Sequence, residues 1–237
     1  MHSTLAQDQV YIATDILILS AHEGTLYLLL GKRGNPPYAG CWALPGRLIG
    51  LNESAEESAG KLLEEMLPVR DAFFEQLYTF TDVNRDPRGR VISVAYLVIV
   101  PWRRLEEAME GEGVLLERFA LSLDGGLKLD GRNGQRIDAE HLAFDHRQMI
   151  ETAVRRLRGK LDYTEIAFEF LDHPGMFSLG ELQAVHEAVL GKPVDKSNFR
   201  RTVLSRYEET GRIRATEKMD KQRRGRPAVL YSRTDEE

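Results

Sequence analysis

The sequence predicts an α/β body followed by a small, basic, helix-rich module that ends in a two-stranded ribbon. Three observations carry this. The chain has 237 residues, long for one ordinary domain and comfortable for two. Its patterning changes from short β-rich runs before Val100 to helical spacing after Asp138. Its charge also reverses: Lys192 to Arg233 holds thirteen Lys/Arg against five Asp/Glu, a net of +8, whereas residues 1–191 hold nineteen against twenty-nine, a net of −10. The overall charge of −5 hides this division. A basic module on an acidic body favours a polyanion partner; a solvated basic face is the other reading of the charge alone.

Composition sets the class. With 42% hydrophobic and 29% charged residues the chain reads as a soluble globular protein. Its longest apolar stretch, Val91 to Trp102, is interrupted by Ser93 and falls short of the roughly 18 residues a membrane span needs. The opening MHSTLAQDQV has neither the basic start nor the apolar core of a signal peptide. Cys41 is the one cysteine, so no intrachain disulfide can form and a reducing cytoplasm is the expected location.

The elements follow in order. Residues 11–19 (YIATDILIL) and 26–30 (LYLLL), separated by the turn-prone Glu23-Gly24-Thr25, predict a buried hairpin. The segment GNPPYAG is a loop, because consecutive prolines remove backbone donors, and WALPG follows as a short strand. Ala55, Ala59, Leu62, Leu63 and Met66 share one face of a helix over 55–66, entered at Glu53-Ser54 and stopped by Pro68. Strands are expected at 75–80 and 91–100, flanking the polar loop DVNRDPRGR. Residues 103–135 carry turn signals but no assignable pattern. A long helix is expected from Asp138 to about Arg158, its stripe formed by Leu142, Met149, Ala153, Val154 and Leu157, ending at Gly159. Three helical segments follow: Thr164–Leu171; Leu179–Leu190, with Ser178 and Glu181 in capping-box spacing; and Lys196 to about Tyr207, capped by Asp195. Arg212–Thr216 and Ala228–Tyr231 are the ribbon strands. This sets expected boundaries of 1–140 for the body, 141–159 for a linker helix and 160–237 for the basic module.

Three helices and a ribbon have the layout of a winged helix-turn-helix, whose later helix enters the major groove. On the third helix Phe199, Thr202 and Val203 form the expected inward stripe, leaving Lys196, Ser197, Arg200 and Arg201 on the opposite face, with Asn198 beside them. Such side chains reach phosphates and base edges. At the ribbon tip, KQRRGRP is extended and basic, and Arg223, Arg224 and Arg226 suit insertion into a narrow minor groove.

In the body, Leu44 to Val69 (LPGRLIGLNESAEESAGKLLEEMLPV) resembles the Nudix box, the strand-loop-helix signature of enzymes that cleave nucleoside diphosphates linked to another moiety. Its pattern is Gly, five residues, Glu, seven residues, Arg-Glu, an apolar residue, any residue, Glu-Glu, any residue, Gly, apolar. The first glycine falls on Arg47 and the first glutamate on Glu53; Arg-Glu falls on Lys61-Leu62, Glu-Glu on Glu65-Met66, and the late glycine on Pro68. Magnesium, a hard cation, needs oxygen ligands. Leu62 and Met66 stand where the resemblance puts two of three metal-binding glutamates, and Glu65 remains. Hydrolysis is therefore expected to be lost, with no metal site and no catalytic residue. Arg33, Arg85 and Arg88, with Glu65, are the candidates for holding an effector, because a guanidinium matches phosphate oxygens without a metal; surface ion pairs with Asp82 and Asp86 are the alternative use of this loop. Trp42, Tyr78, Phe80 and Tyr96 are expected in the core and Cys41 as a packed thiol. Asp145 and His146, read as adjacent helix positions, should point apart.

Taken together, WALPG, NRDPRGR, LAFDH, YTEIAF, GKPVDKSNFRR and GRPAVLY, in this order, resemble the Nudix-related transcriptional regulators of the NrtR type. That resemblance implies an N-terminal Nudix-like α/β/α sandwich with a mixed sheet and a C-terminal winged helix. It also implies a bacterial cytoplasmic homodimer on a palindromic double-stranded operator, associated with the nucleoid when bound. Such regulators sense ADP-ribose or a sugar, require no cofactor, and many repress genes of NAD metabolism. An active magnesium-dependent Nudix hydrolase and a ligand-independent DNA-binding protein are the alternatives.

Overall fold

The computed structural model describes residues 9–70, 72–111, 113–220 and 227–234. Its body is built on β1 (Tyr11–His22), which is buried without interruption from Ala13 to Ala21. A strand covered on both faces reads as a nearly continuous apolar run. β1 pairs antiparallel with β2 (Thr25–Lys32) through the Glu23-Gly24 turn. Two short strands follow, β3 (Trp42–Ala43) against β2 and β4 (Gly46–Leu48) against β1. β5 (Phe73–Phe80) and β6 (Val91–Ile99) form a second antiparallel pair, and β6 lies parallel to β1. β7 (Leu116–Ser122), β8 (Lys128–Asp130) and β9 (Arg136–Ile137) extend the other side. The order is β5-β6-β1-β2-β7-β8-β9, a mixed sheet.

Helices cover both faces, and alternation along β1 decides what each meets. Ile16 and Ile18 pack with Leu29 and Val98 against Ala59, Leu62 and Leu63 of α1 (Ala55–Met66), and Leu105 of α2 (Trp102–Met109) joins them. Leu17 and Leu19 pack on the opposite side with Leu28, Leu30 and Leu97. There they join Met149, Ile150, Ala153, Val154 and Leu157 of α3 (His146–Leu161). The helix expected as a linker is thus also the body's second helical layer.

The C-terminal module contributes a 3-10 turn (Ile166–Phe170), β10 (Phe177–Ser178), α4 (Leu179–Leu190), α5 (Lys196–Val203), β11 (Ile213–Asp220) and β12 (Ala228–Arg233). The three strands form a separate sheet with β12 in the middle. Ser178 and Glu181 close the capping box that starts α4, and Gly191 ends it with φ +71°. Phe168, Phe177, Leu182, Val189, Tyr207 and Tyr231 belong to the same apolar cluster as Leu17 and Met149, so body and module share one continuous core.

Several boundaries differ from the sequence reading. α3 begins at His146, not Asp138, because Ala143 donates to the Trp42 carbonyl and Phe144 takes φ +52°, which no helix accommodates. It also passes through Gly159 to Leu161. Residues 166–170 are a 3-10 turn, and the end of the third helix widens to a π-turn at Leu204–Glu208. Thr202 is exposed, so Val203, with half-buried Phe199, carries that helix's inward contact. The unassigned stretch holds α2, β7 and β8. Tyr78 is 48% exposed under Arg156, whereas Trp42, Phe80 and Tyr96 are buried as expected; Cys41 is half-buried.

Phe168 stacks edge-on against Phe177 and Tyr207, with centroids 5.5 and 5.1 Å away, at the centre of the module's core. Phe168→Ala is expected to cost about 3–5 kcal/mol, and Ser178→Ala, which removes one cap, about 1 kcal/mol. Urea titrations followed by tryptophan fluorescence check both, and because the core is shared, one unfolding transition is expected for body and module.

Candidate effector cleft and nucleic-acid interface

A polar cleft opens where β1, β4 and the 82–90 loop meet the start of α3. Arg33, Arg47, Arg85, Arg88, Asp15, Asp86, Phe144 and His146 are among its lining residues. Its floor is a buried charge cluster. Arg85 donates from Nε and Nη2 to both carboxylate oxygens of Asp145, at 2.9 and 2.8 Å, and its Nη2 lies 3.4 Å from Asp15 Oδ2. Asp15 also accepts from the Ser93 hydroxyl at 2.5 Å. Burial opposes the Arg85 charge, but the Asp145 hydrogen bonds and the field of Asp15 outweigh it and raise its pKa. Gly46 permits this closeness: a Cβ there would sit 2.1 Å from Asp15 Oδ1.

His146 Nδ1 accepts the Leu44 backbone N–H at 3.0 Å. The ring proton therefore sits on Nε2, which faces Asp15 Oδ1 at 3.7 Å. Burial is the main cause holding its pKa below the ordinary histidine value, against the pull of Asp15 and Asp145. Asp145 is the cap of α3 and not a position within it, so Asp145 and His146 do not point apart; both face this cluster.

Above the floor, the guanidiniums of Arg33 and Arg88 lie over the Phe144 ring, 4.7 and 5.5 Å from its centroid. Arg33 Nε donates to the Pro37 carbonyl, and Arg88 pairs with Asp86 at 2.7 Å. Burial disfavours ionised Asp86, but hydrogen bonds and charge from Arg88 prevail and lower its pKa. Arg90 donates to the Thr81 and Asp82 carbonyls, closing the loop.

The carboxylates around α1 are answered by the chain's own cations. Glu53 accepts from the Gly50 N–H at 2.8 Å and from Lys61 Nζ at 3.0 Å, and Arg47 Nη2 lies 3.5 Å away. The Gly50 bond, then Lys61, lowers the Glu53 pKa to about 2. Glu65 pairs with Arg47 at 3.2 Å. It is 63% exposed and does not line the cleft, contrary to its expected place there. Leu62 is buried and Met66 packs against the apolar layer. Among the described residues no three metal-type side chains gather. This donor set does not fit a hard divalent cation.

In the basic module, Asp195 caps α5 by accepting from the Asn198 N–H at 2.7 Å. Lys196, Ser197, Asn198, Arg200 and Arg201 are all exposed on it, and Arg201 donates to Asn198 Oδ1 at 2.7 Å. Arg214 and Lys218 add exposed cations along β11. Arg223, Arg224 and Arg226 lie outside the described residues.

The sequence reading had placed Arg33, Arg85 and Arg88 together, and all three line the cleft; Arg85, however, is committed to two carboxylates. It missed Asp15, Arg47 and Phe144. Asp15 carried a signal, an acidic residue inside an apolar strand, since a buried charge needs a partner. Arg47 and Phe144 carried none.

Residues 167–232 match the NrtR DNA-binding winged helix domain. Over 226 residues the chain is 30% identical to the ADPR responsive transcriptional repressor NtrR of Acinetobacter baylyi, covering 93% of this chain and 80% of that protein. The chain belongs to the NrtR family. Its structure resembles that of Shewanella oneidensis NrtR complexed with a 27mer DNA, with 31% identity, a TM-score of 0.74, and coverage of 94% of this chain and 93% of that one. The chain is also 26% identical over 155 residues to an ADP-ribose pyrophosphatase of Methanocaldococcus jannaschii, covering 65% of this chain and 82% of that enzyme. A Nudix-like body with a mixed sheet and a C-terminal winged helix is thus the architecture of this NrtR family member.

His146 and His186 both have pKa values lowered chiefly by burial. The unfolded chain takes up protons near pH 6.5 while the native state resists, so stability is full above that pH and falls as pH drops through and below it. Urea midpoints measured from about pH 7.5 to about pH 5.5 should decline, and His146→Gln should flatten the decline. An unchanged slope in that variant would contradict a buried neutral His146.

Proposed function

We propose that this chain is a DNA-binding transcriptional repressor released from its operator by ADP-ribose or a related nucleotide. The observation that carries the reading is the cleft. It places the Arg33 guanidinium over a Phe144 face, with Arg88, paired to Asp86, beside it, while the box carboxylates nearest it are paired with Arg47 and Lys61. Arginine forks bind diphosphate oxygens bidentately, and neutralised carboxylates do not repel the anion. Binding without turnover is expected, because Leu62 and Met66 take the places of two box carboxylates; Arg85 supports the floor. The DNA-bound structure of the Shewanella relative and the name of the Acinetobacter one support the same pairing of partners.

On DNA, Lys196, Ser197, Asn198, Arg200 and Arg201 contact the major groove, and Arg223, Arg224 and Arg226 the minor groove. A homodimer would set two recognition helices about one helical turn apart on a palindromic operator. Likeness to an ADP-ribose pyrophosphatase favours a second reading, a magnesium-dependent hydrolase.

Fluorescence anisotropy with promoter DNA from beside its own gene, with and without ADP-ribose and magnesium, separates the two. Specific binding that ADP-ribose weakens, with the nucleotide recovered intact, is expected. Cleavage of ADP-ribose at enzyme rates once magnesium is present would establish the hydrolase instead. Arg200→Ala should weaken operator binding and, if its partner is a phosphate, lower the salt slope by about one.

A further inference from the structure

We propose that the Asp145 carboxylate, held by Arg85, is the positioning residue through which an occupied cleft acts on the winged helix. This rests on the effector reading above and specifies how the cleft is coupled to the DNA-binding module.

Three consecutive residues at the start of α3 form part of the cleft's structure. The Phe144 ring carries Arg33 and Arg88, Asp145 grips Arg85, and His146 accepts from Leu44. Phe144 reaches its place only in a left-handed conformation, φ +52°. A ligand whose phosphates engage Arg33 and Arg88 pulls both cations away from the ring that they share with this segment. Arg85 and Asp145 transmit the change, because a bidentate pair fixes direction as well as distance.

The far end of α3 is fastened to the DNA module. Arg158 Nε donates to the Val189 carbonyl at 2.9 Å, at the end of α4. The Leu161 and Thr164 carbonyls accept from Arg206, which follows α5, at 2.9 and 3.1 Å. Between the ends lies a buried stripe, Met149, Ile150, Ala153, Val154 and Leu157, so α3 moves as a rod or not at all. Sixteen residues make a rod of roughly 24 Å. One helix therefore begins in the cleft and ends on the support of the recognition helix.

Asp145→Asn keeps size and one hydrogen bond but removes the charge that fixes Arg85. Arg158→Gln loosens the opposite end without touching the cleft. In each full-length variant, ADP-ribose affinity is measured calorimetrically without DNA, and operator affinity by anisotropy with and without saturating ADP-ribose. Coupling of about 10-fold is expected in the wild type, and about 2-fold or less in both variants, with each separate affinity within about 3-fold of wild type in Arg158→Gln, which lies outside the cleft. By reciprocity, operator DNA should weaken ADP-ribose binding by the same lost factor. Wild-type coupling in either variant overturns the proposal. Should Asp145→Asn fail to fold, Arg158→Gln decides alone. A wild-type protein that binds ADP-ribose and operator with no coupling, or no ADP-ribose at all, overturns the effector reading and this inference with it.

Discussion

The structure depends on one buried guanidinium. Arg85 is 4% exposed and stands between Asp15 on the central strand and Asp145 at the head of α3. Without it two carboxylates would sit uncompensated in the interior, a loss of several kcal/mol. With it, three segments distant in sequence meet: β1, the 82–90 loop and the residues that start α3. Their meeting shapes the cleft. Gly46 belongs to the same constraint, since any side chain there would occupy the space of the Asp15 carboxylate.

From this point the fold shows how a body with an enzyme's architecture departs from the enzyme's charge pattern. A pyrophosphate-cleaving site needs free carboxylates clustered on a helix to hold metal. In this chain Leu62 and Met66 contribute to the apolar layer beneath α1, and Glu53 and Glu65 are neutralised from within by Arg47 and Lys61. The cations lining the cleft come chiefly from loops, Arg33 after β2 and Arg85 and Arg88 in the 82–90 segment, with Arg47 on β4. The shared core ties this body to the basic module, because α3 belongs to the body by its packing and to the winged helix by its end.

Much of the organisation was legible in the chain itself. The hairpin of β1 and β2, the span of α1, the capping box at Ser178, and the basic face of α5 follow from local periodicity and cap chemistry, which act over a few residues. Less legible were elements set by distant partners. Residues 103–135 carry weak local preference and become α2, β7 and β8 by pairing with β2 and packing on the sheet. α3 starts eight residues later than its pattern suggests because the bridge between Trp42 and Leu142 and the left-handed Phe144, φ +52°, interrupt the preceding segment.

The sequence by itself determined the class of partner and the class of fold: an acidic α/β body, a basic helical module with Lys196 to Arg201 on its outer face, and a box missing two metal-binding carboxylates. These are properties of residue type and short-range spacing. Only the tertiary structure decided which arginines remain available to a ligand. Arg33, Arg47, Arg85 and Arg88 are alike as letters, yet Arg85 is bound to Asp15 and Asp145 and Arg88 to Asp86, while Arg33 rests on Phe144. The reason is electrostatic: a buried charge must find its partner wherever the fold brings one, and for Asp15 and Asp145 that partner lies 70 and 60 residues away.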